Sequence, residues 1–387
     1  MVLRTIGTVS ILLLAMQIPA PSQSTPAPGA RKMKVCAAQS GPDWVSWHLN
    51  AAGALQAADR VIEQLVPLVN RAGTAGCDVL TLPEDTLGVL HWEVANKPAM
   101  KDVLIPAVKH MLDRLGRTAA GHHMYLVLSS DTAEPDNTYR NTAFFLGRDG
   151  REIGRYYKVH PTITESDRVR GETFPVFETP DLGGVGMLIC YDMVMPESSR
   201  GLALNGADLI FVSTMGGAVT TGDESLNRAA FRVRAADNFV YLVVAMRNGA
   251  LIVSPQGAVL SEVTEPGSIA MAEIDPFGGR EGGDALNSQR DMRARLFRER
   301  NPAAYGVFTN PNPPALKKIP ATISVNDAVR IGSTALTIGE QRFAEAEALA
   351  RSGKSSEAAQ AFARLRADFP GTWIEREAES RLSKIKP

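Results

Sequence analysis

The sequence predicts an α/β fold with a mixed sheet, followed by a small all-helical appendage. Two observations carry this prediction. Short apolar runs of strand length alternate with amphipathic helical segments through the middle of the chain. After the proline-rich residues 311–320, the composition becomes rich in Ala, Glu and Arg, which favour helices.

The elements of the α/β region follow from local patterns. Apolar residues at spacings of three and four over residues 55–69 predict a helix that ends near Gly73 and Gly76. Residues 140–146 and 151–158 flank a Gly-Arg-Asp-Gly turn and predict a hairpin. The remaining predicted elements are strands ending at residue 84 and at 125–129, 185–189, 208–213, 241–245 and 250–254, and helices near 106–119 and 224–238.

The C-terminal residues from about 336 predict paired helices. A small-residue helix, the turn at Gly353, a second helix and then Pro370 resemble a tetratricopeptide-type repeat. The pattern covers one and a half units, whereas three or more usually fold alone, so we expect it to dock on the α/β core or on another subunit. A protein-binding role and a plain helical cap both stay open.

The first thirty residues predict export. Arg4 gives a positively charged start, residues 11–16 are apolar but short for a membrane span, and a zone rich in Pro, Ser and Ala follows. We interpret residues 1–25 as a secretory signal peptide and 26–33 as a linker, which predicts a periplasmic or secreted protein. An uncleaved membrane anchor is the alternative.

Composition and cysteine content narrow the chemistry. With a formal net charge of −1 and no basic stripe, the chain offers no electrostatic argument for nucleic acid as a partner. No Cys or His pairs stand at metal-ligand spacing, so the sequence predicts no metal and no cofactor. A bridge between Cys36 and Cys77 is open, but two ordinary buried thiols are the preferred interpretation, and Cys190 stays free.

Three chemically useful side chains each follow a predicted strand. They are Glu84 after Pro83, Lys158, and Cys190 at a strand-to-helix turn. Open α/β sheets place their chemistry at the carboxyl ends of strands. A carboxylate serves as general base, a thiol as nucleophile and an ammonium as oxyanion stabiliser. The helix expected after Cys190 predicts that its N-terminus favours the thiolate.

These residues resemble the Glu–Lys–Cys triad of the carbon–nitrogen hydrolase (nitrilase) superfamily in order and spacing. The resemblance runs from about residue 33 to about 314 and places such a domain at 34–315, a second linker at 316–335 and the tetratricopeptide-like helices at 336–387. It implies a four-layer αββα sandwich that forms homodimers or higher oligomers. Further matching segments are 36–39, 141–145, 147–150, 232–246, 248–249 and 254–257.

The resemblance also implies supporting residues. A second glutamate is expected after the lysine, and Glu165 is the candidate, with Glu172 as runner-up. The backbone N–H of Tyr191 is expected to help bind an oxyanion. Trp47 lies in an aromatic loop that is either a pocket wall or a surface flap, and Arg200 either meets a substrate carboxylate or forms a surface ion pair.

The predicted activity is hydrolysis of a small-molecule amide or N-carbamoyl bond through a cysteine thioester. The residues Tyr191-Asp192 after the cysteine resemble amidase and carbamoylase branches, whereas true nitrilases typically have Trp-Glu there. Three alternatives stay open. They are nitrile hydrolysis, acyl transfer to an amine or lipid, and a catalytically silent scaffold that presents the C-terminal helices to a protein partner.

Overall fold

The structure is a computed structural model that describes residues 32–41, 44–219, 224–278 and 292–385. The predicted signal peptide at 1–25 and most of the linker at 26–33 lie outside these residues. Within the described ranges, no helix combines the length and apolar character that crossing a bilayer requires.

Two six-stranded mixed sheets form the centre of the fold. The strands of the first sheet are β1 (Met33–Ala38), β2 (Val79–Thr81), β3 (Tyr125–Ala133), β4 (Tyr139–Leu146), β5 (Glu152–Tyr157) and β12 (Ile269–Ile274). Those of the second are β6 (Val176–Thr179), β7 (Gly183–Ile189), β8 (Leu209–Thr214), β9 (Tyr241–Met246), β10 (Gly249–Val253) and β11 (Val259–Val263). The spatial orders are β12-β1-β2-β3-β4-β5 and β11-β10-β9-β8-β7-β6. In each sheet three adjacent strands run parallel. The other strands pair antiparallel with a neighbour, and all of them except β12 are joined to that neighbour by a hairpin.

Helices cover both outer faces of the paired sheets, α1 and α3 on the first sheet and α4 and α5 on the second. The helices of the α/β region are α1 (Ala51–Thr74), α2 (Leu90–Ala95), α3 (Met100–Ala120), α4 (Pro196–Leu204), α5 (Glu224–Asn238) and α6 (Met292–Arg298). One apolar core lies between the sheets, and a second packs α1 and α3 on the first sheet. Helices α4 and α5 contact strands of the second sheet. The predicted four-layer αββα sandwich is confirmed.

A disulfide joins Cys36 on β1 to Cys77, two residues before β2. The preferred interpretation of two separate thiols was therefore wrong. β1 and β2 are parallel neighbours, and the segment that leads into β2 brings the Cα atom of Cys77 to 6.1 Å from that of Cys36, within the range that a disulfide bridges. Both residues are buried.

We expect the double replacement Cys36→Ser/Cys77→Ser to lower the free energy of unfolding by about 2–4 kcal/mol, because the bridge closes a long loop in the unfolded chain. The loop is set by a sequence separation of 41 residues. Urea unfolding with and without reductant measures this, and reductant should lower the free energy of unfolding of the wild type only. Equal unfolding free energies for the two proteins under oxidising conditions would contradict the expectation.

The C-terminal part is a helical unit with a small core of its own. Helix α7 (Val325–Thr334) continues through a π-helical turn (Ala335–Gly339) into α8 (Glu340–Arg351), followed by α9 (Ser355–Asp368) and α10 (Trp373–Lys384). Its buried apolar side chains come from all of these segments except α7: Ala335, Phe343, Ala346, Ala358, Phe362, Leu365, Phe369, Ile374 and Ala378. The tetratricopeptide-type pattern stays a prediction.

This unit docks on the α/β core of its own chain. Helix α7 packs against the turn Ile163–Glu165, and the π-helical turn packs against α2. His91 Nε2 on α2 lies 2.8 Å from Glu340 Oε2. The linker predicted at 316–335 differs from the structure, because the helix begins at Val325, where the Ser324 side chain accepts a hydrogen bond from Asp327 N at 3.1 Å.

Candidate active site

Glu84 and Lys158 meet between the two sheets although 74 residues separate them. Glu84 follows β2 and Lys158 follows β5, which are strands of the same sheet. The Lys158 ammonium donates to Glu84 Oε1 at 3.0 Å. Their side chains are only 2% and 6% exposed, so the ion pair is buried.

Glu165 completes this ion cluster from the turn Ile163–Glu165. Its Oε2 accepts a hydrogen bond from Lys158 Nζ at 2.8 Å. Asn141 on β4 donates through one nitrogen to Glu165 Oε1 at 2.7 Å and to Glu84 Oε1 at 3.0 Å. Of the two candidate second glutamates, Glu165 is therefore the one at the site, whereas Glu172 is exposed.

Cys190 stands at the end of β7 in a strained backbone conformation. Its φ is +44°, in the left-handed region that residues other than glycine rarely adopt. The turn Cys190–Val194 follows directly. The thiol lies beside Glu84, Lys158 and Thr214, because all three side chains shift its pKa. The three strand-end residues identified from sequence are thus brought together.

Asp192 fixes the turn that carries Cys190. Its buried carboxylate accepts hydrogen bonds from Ile189 N at 3.1 Å, from the Tyr156 hydroxyl at 2.8 Å and from His160 N at 2.9 Å. Tyr156 and His160 flank Lys158 on either side in sequence. Asp192 therefore holds the cysteine turn against the segment that carries the lysine, a role that sequence reasoning missed.

Two contacts tie the sheets together beside Glu84. Ser213 Oγ on β8 donates to Leu82 O at 2.8 Å, and Met215 N donates to Glu84 Oε2 at 3.2 Å. Each Glu84 oxygen thus accepts a hydrogen bond, one from each side of the sheet interface. The carboxylate is held in a fixed orientation by these donors.

The charges in this cluster shift one another's proton affinities. Burial raises the pKa of Glu84, and the Lys158 ammonium only partly offsets this. Burial alone would also raise the pKa of Glu165, but Lys158 and Asn141 lower it to about 2. For Lys158, burial opposes the charge, yet Glu165 and Glu84 hold the pKa well above its ordinary value. Glu84 is thus the carboxyl group with the higher proton affinity.

Cys190 is a thiol in this environment. Burial raises its pKa to about 12, the Glu84 carboxylate acts in the same direction, and Lys158 opposes both. The expectation that a helix N-terminus favours the thiolate was therefore wrong. The following α-helix begins only at Pro196, beyond the turn, and desolvation dominates. Thiolate chemistry here needs a base, and Glu84 lies within reach.

The other residues singled out from sequence lie at different places. Tyr191 follows Cys190 in the turn. Arg200 donates to Asp237 O at 2.6 Å, at the C-terminal end of α5, and this contact does not connect it with the ion cluster. Trp47 stacks on His48 with ring centroids 3.5 Å apart.

Trp44, three residues before Trp47, is the tryptophan linked to the site. The Arg247 guanidinium lies 3.5 Å from the centroid of its ring and donates to Asp85 O at 3.2 Å, next to Glu84. In the part of the chain that the structure describes, no group of three or more His, Cys, Asp or Glu side chains is arranged to hold a metal ion.

Comparisons with known proteins find relatives of this chain. A family model described as carbon-nitrogen hydrolase matches residues 34–280. A deaminated glutathione amidase of Synechocystis sp. is 27% identical over 257 residues, which cover 58% of this chain and 91% of the relative. A nitrilase of Pyrococcus abyssi is 34% identical over 176 residues, 40% of this chain and 60% of that protein. The structure of an amidase of the nitrilase superfamily from Nesterenkonia AN1 matches with a TM-score of 0.57 at 21% identity, over 73% of this chain and 100% of the other.

Proposed function

Because this chain belongs to the carbon–nitrogen hydrolase family, we propose that it cleaves an amide or N-carbamoyl bond of a small molecule through a thioester on Cys190. One observation carries the proposal: the buried Lys158 ammonium contacts Glu84 at 3.0 Å and Glu165 at 2.8 Å, beside the Cys190 thiol. This combines a nucleophile, a base and an oxyanion stabiliser in one desolvated place.

In the acylation half, Glu84 takes the proton from Cys190 as the sulfur attacks the carbonyl carbon. This transfer is needed because the pKa of the thiol is raised to about 12. Lys158 and the backbone N–H of Tyr191 stabilise the negative oxygen of the tetrahedral intermediate. The carbon–nitrogen bond then breaks, and the leaving amine or ammonia takes the proton from Glu84.

In the deacylation half, Glu84 is a carboxylate again and accepts a proton from water as the water oxygen attacks the thioester. The sulfur leaves, and the proton on Glu84 returns to it. Glu165 holds Lys158 in place throughout, because its low pKa, about 2, keeps it charged opposite the ammonium. Asn141 keeps the two carboxylates apart by donating to both.

Relatives support an amide as the bond cleaved. Several of the curated relatives are described as deaminated glutathione amidases. Mutants of the Nesterenkonia amidase have been solved, one in complex with butyramide and another with the acetamide moiety of fluoroacetamide added covalently at the active-site cysteine. The Tyr191-Asp192 pair after the nucleophile supports the same preference over nitriles, and Asp192 also anchors the turn.

The test is ammonia release by the mature protein from a panel of aliphatic amides, N-carbamoyl amino acids and nitriles. We expect release from an amide or carbamoyl substrate, and its loss in Cys190→Ala. Incubation with fluoroacetamide should add one acetamide group to the wild type and none to the variant, as read by intact mass. Circular dichroism and thermal unfolding establish that the variant is folded.

The other outcomes decide among the alternatives. Release from nitriles alone would overturn the amide preference. Consumption of an amide without acid product, but with a new amide formed from an added amine, would indicate acyl transfer. A folded wild type that neither turns over any substrate nor reacts with fluoroacetamide would favour the silent scaffold, with the C-terminal helices as its protein-binding part.

We also propose that the mature protein is exported to the periplasm or beyond. The N-terminal pattern supports this, and so does the Cys36–Cys77 disulfide, because disulfides persist in oxidising compartments. The N-terminal sequence of protein recovered from periplasmic and extracellular fractions checks the proposal. Cytoplasmic protein that retains residues 1–25 would contradict it.

We further propose a homodimer or higher oligomer, with a second copy of this chain covering the segment between α6 and α7. This segment presents large apolar side chains with about half or more of their surface exposed: Val307, Phe308, Leu316, Ile319 and Ile323. Sedimentation velocity measures the oligomeric state. A monomer at micromolar concentration would refute the proposal.

A further inference from the structure

Arg168 lies in a second buried ion cluster. Its guanidinium donates to Glu93 Oε2 at 2.7 Å, to Asp131 Oδ2 at 2.7 Å and to Asp167 Oδ1 at 2.8 Å. Glu93 on α2 is 1% exposed, and Asp131 on β3 is 7% exposed. Asp167 reaches the surface. Two buried carboxyl groups therefore face one buried guanidinium, which leaves one negative charge in excess when both are ionised.

The second oxygen of each buried carboxyl group has no donor. Glu93 Oε1 and Asp131 Oδ1 are buried and receive no hydrogen bond from any group in the described part of the chain. The two carboxyl groups contact the same guanidinium nitrogen, because Arg168 Nη2 lies 2.7 Å from Glu93 Oε2 and 2.5 Å from Asp131 Oδ2. Two carboxylates cannot donate to one another, so full ionisation would leave both oxygens unsatisfied. One proton between them satisfies both oxygens and removes the excess charge.

A cavity of about 10 Å³, roughly the space of one water molecule, places this pair beside the active site. Asp131 lies opposite Asn141 in the register of β3 and β4. Asn141 in turn donates to Glu84 Oε1 at 3.0 Å. The cavity is lined by Glu84, Asp85, Leu90, Glu93, Asp131 and Asn141.

We propose that Glu93 and Asp131 share one proton in the folded protein. This proton determines the net charge of the cluster beside the Glu84 carboxylate, and so influences how strongly Glu84 acts as a base. While it is present, the pair and Arg168 are neutral together. Its loss would bring a negative charge to the cavity that Glu84 lines, and that charge would increase the proton affinity of Glu84. Burial and the Asp131 carboxylate both raise the pKa of Glu93, in agreement with the geometry.

The remaining charged groups around the pair each have an oppositely charged neighbour. Asp85 needs separate treatment because burial raises its pKa as well, to about 6. A variant with the pair altered and Asp85 intact isolates the shared proton. The neighbouring ion pairs are Asp167 with Lys97 at 2.7 Å, Asp85 with Arg247 at 3.8 Å and Glu84 with Lys158 at 3.0 Å. The His91 imidazole lies 2.8 Å from the Glu340 carboxylate.

The shared proton makes stability depend on pH with a defined sign. In the unfolded chain Glu93 loses its proton near its ordinary pKa of 4.5, whereas the folded protein keeps the proton to higher pH. Between these two values the folded state binds one proton more, so the free energy of unfolding falls as the pH rises. Above the folded-state value no further change comes from this pair.

The experiment uses the mature protein with Glu93→Gln, Asp131→Asn and the double variant. An amide at either position reproduces the shape of a protonated carboxyl group and donates to the remaining carboxylate. Each single variant should lose the infrared band of one protonated buried carboxyl group at neutral pH. In each single variant, the decrease of the unfolding free energy with rising pH that comes from this one proton should also be absent. Asp167→Asn is the matched control, because it removes a carboxylate from the same guanidinium and should keep both signals.

A kinetic measurement, which rests on the proposed function, tests the link to Glu84. The acid limb of kcat/KM reports the protonation of Glu84. Each single variant carries the same net charge as the proton-sharing pair, so the midpoint of this limb should stay in place. The double variant removes one more negative charge and should shift the midpoint to lower pH.

Two results would overturn the inference. One is an infrared spectrum of the wild type in which neither Glu93→Gln nor Asp131→Asn removes a protonated-carboxyl band. The other is a single variant that already shifts the acid limb to lower pH, since that result requires both carboxyl groups of the wild type to be ionised. The infrared and unfolding measurements need no substrate, so failure of the proposed activity leaves them decisive.

Discussion

Lys158→Met should cost both stability and activity. The replacement fills the space of the buried side chain but leaves the Glu84 and Glu165 carboxyl groups facing each other without a cation. Removing one partner of a buried ion pair typically costs about 3–5 kcal/mol of unfolding free energy. Loss of an oxyanion donor lowers kcat by about 100- to 1000-fold. Urea unfolding and steady-state ammonia release measure the two effects.

The stability loss in Lys158→Met should depend on pH, and the lowered pKa of Glu165 determines the direction. Lys158 holds the pKa of Glu165 at about 2 in the wild type, so this pairing stabilises the protein above the ordinary glutamate value and is lost on acidification. Lys158→Met should therefore be most destabilising at neutral pH, and its effect should shrink as the pH falls from the ordinary glutamate value of 4.5 toward 2. A loss independent of pH would indicate that packing, and not charge, is what the lysine provides.

Lys158→Met/Glu165→Gln separates structure from chemistry. The second replacement removes the uncompensated charge next to Glu84 and keeps an amide that Thr162 N and the Thr162 hydroxyl can still reach. We expect it to recover much of the unfolding free energy and none of the activity. Recovery of activity along with stability would contradict the role of Lys158 at the developing oxyanion.

The sequence predicted those parts of the fold and site that depend on a local pattern within one continuous segment. Helix α1 carries its apolar period over its whole length, and its predicted end at Gly73 and Gly76 is close to the observed Thr74. Lys158 and Cys190 stand directly after a strand and Glu84 stands shortly after one, where a change from apolar to polar residues is visible locally. Convergence then follows from the rule that parallel strands present their carboxyl ends together.

The parts that sequence reasoning missed depend on how distant segments align. Asn141 reaches two carboxylates only because β4 lies next to β5 in the observed register, and Asp192 has partners more than thirty residues away. The disulfide likewise follows from the neighbouring positions of β1 and β2. Desolvation, which no local pattern reveals, raises the pKa of the Cys190 thiol to about 12 and so disfavours the expected thiolate.

Docking of the C-terminal helices connects the tail to this chemistry. Helix α7 lies on the turn that ends in Glu165, and a Cβ atom at Gly332 would come within 2.6 Å of Thr164 Cγ2. The close approach requires the glycine, and it places the tail against the turn that orients Lys158. If the tail is a plain helical cap, its specific role is to support the turn that carries Glu165.

Glu84→Gln should separate thiol ionisation from turnover, moving them in opposite directions. The Glu84 carboxylate contributes to raising the pKa of Cys190, so its neutralisation should shift the pH dependence of thiol alkylation from about 12 to lower pH. Turnover should fall by about 100- to 10,000-fold, since the general base is gone. Rates of iodoacetamide alkylation against pH and rates of ammonia release measure the two. Glu172→Gln, at an exposed glutamate outside the cluster, is the matched control and should change neither.

A thiol that ionises more readily in a protein that turns over less would mean that the enzyme depends on transferring the proton to Glu84 during attack, and not on storing a thiolate. Turnover that rises with the thiolate fraction in Glu84→Gln would instead contradict the base role of Glu84.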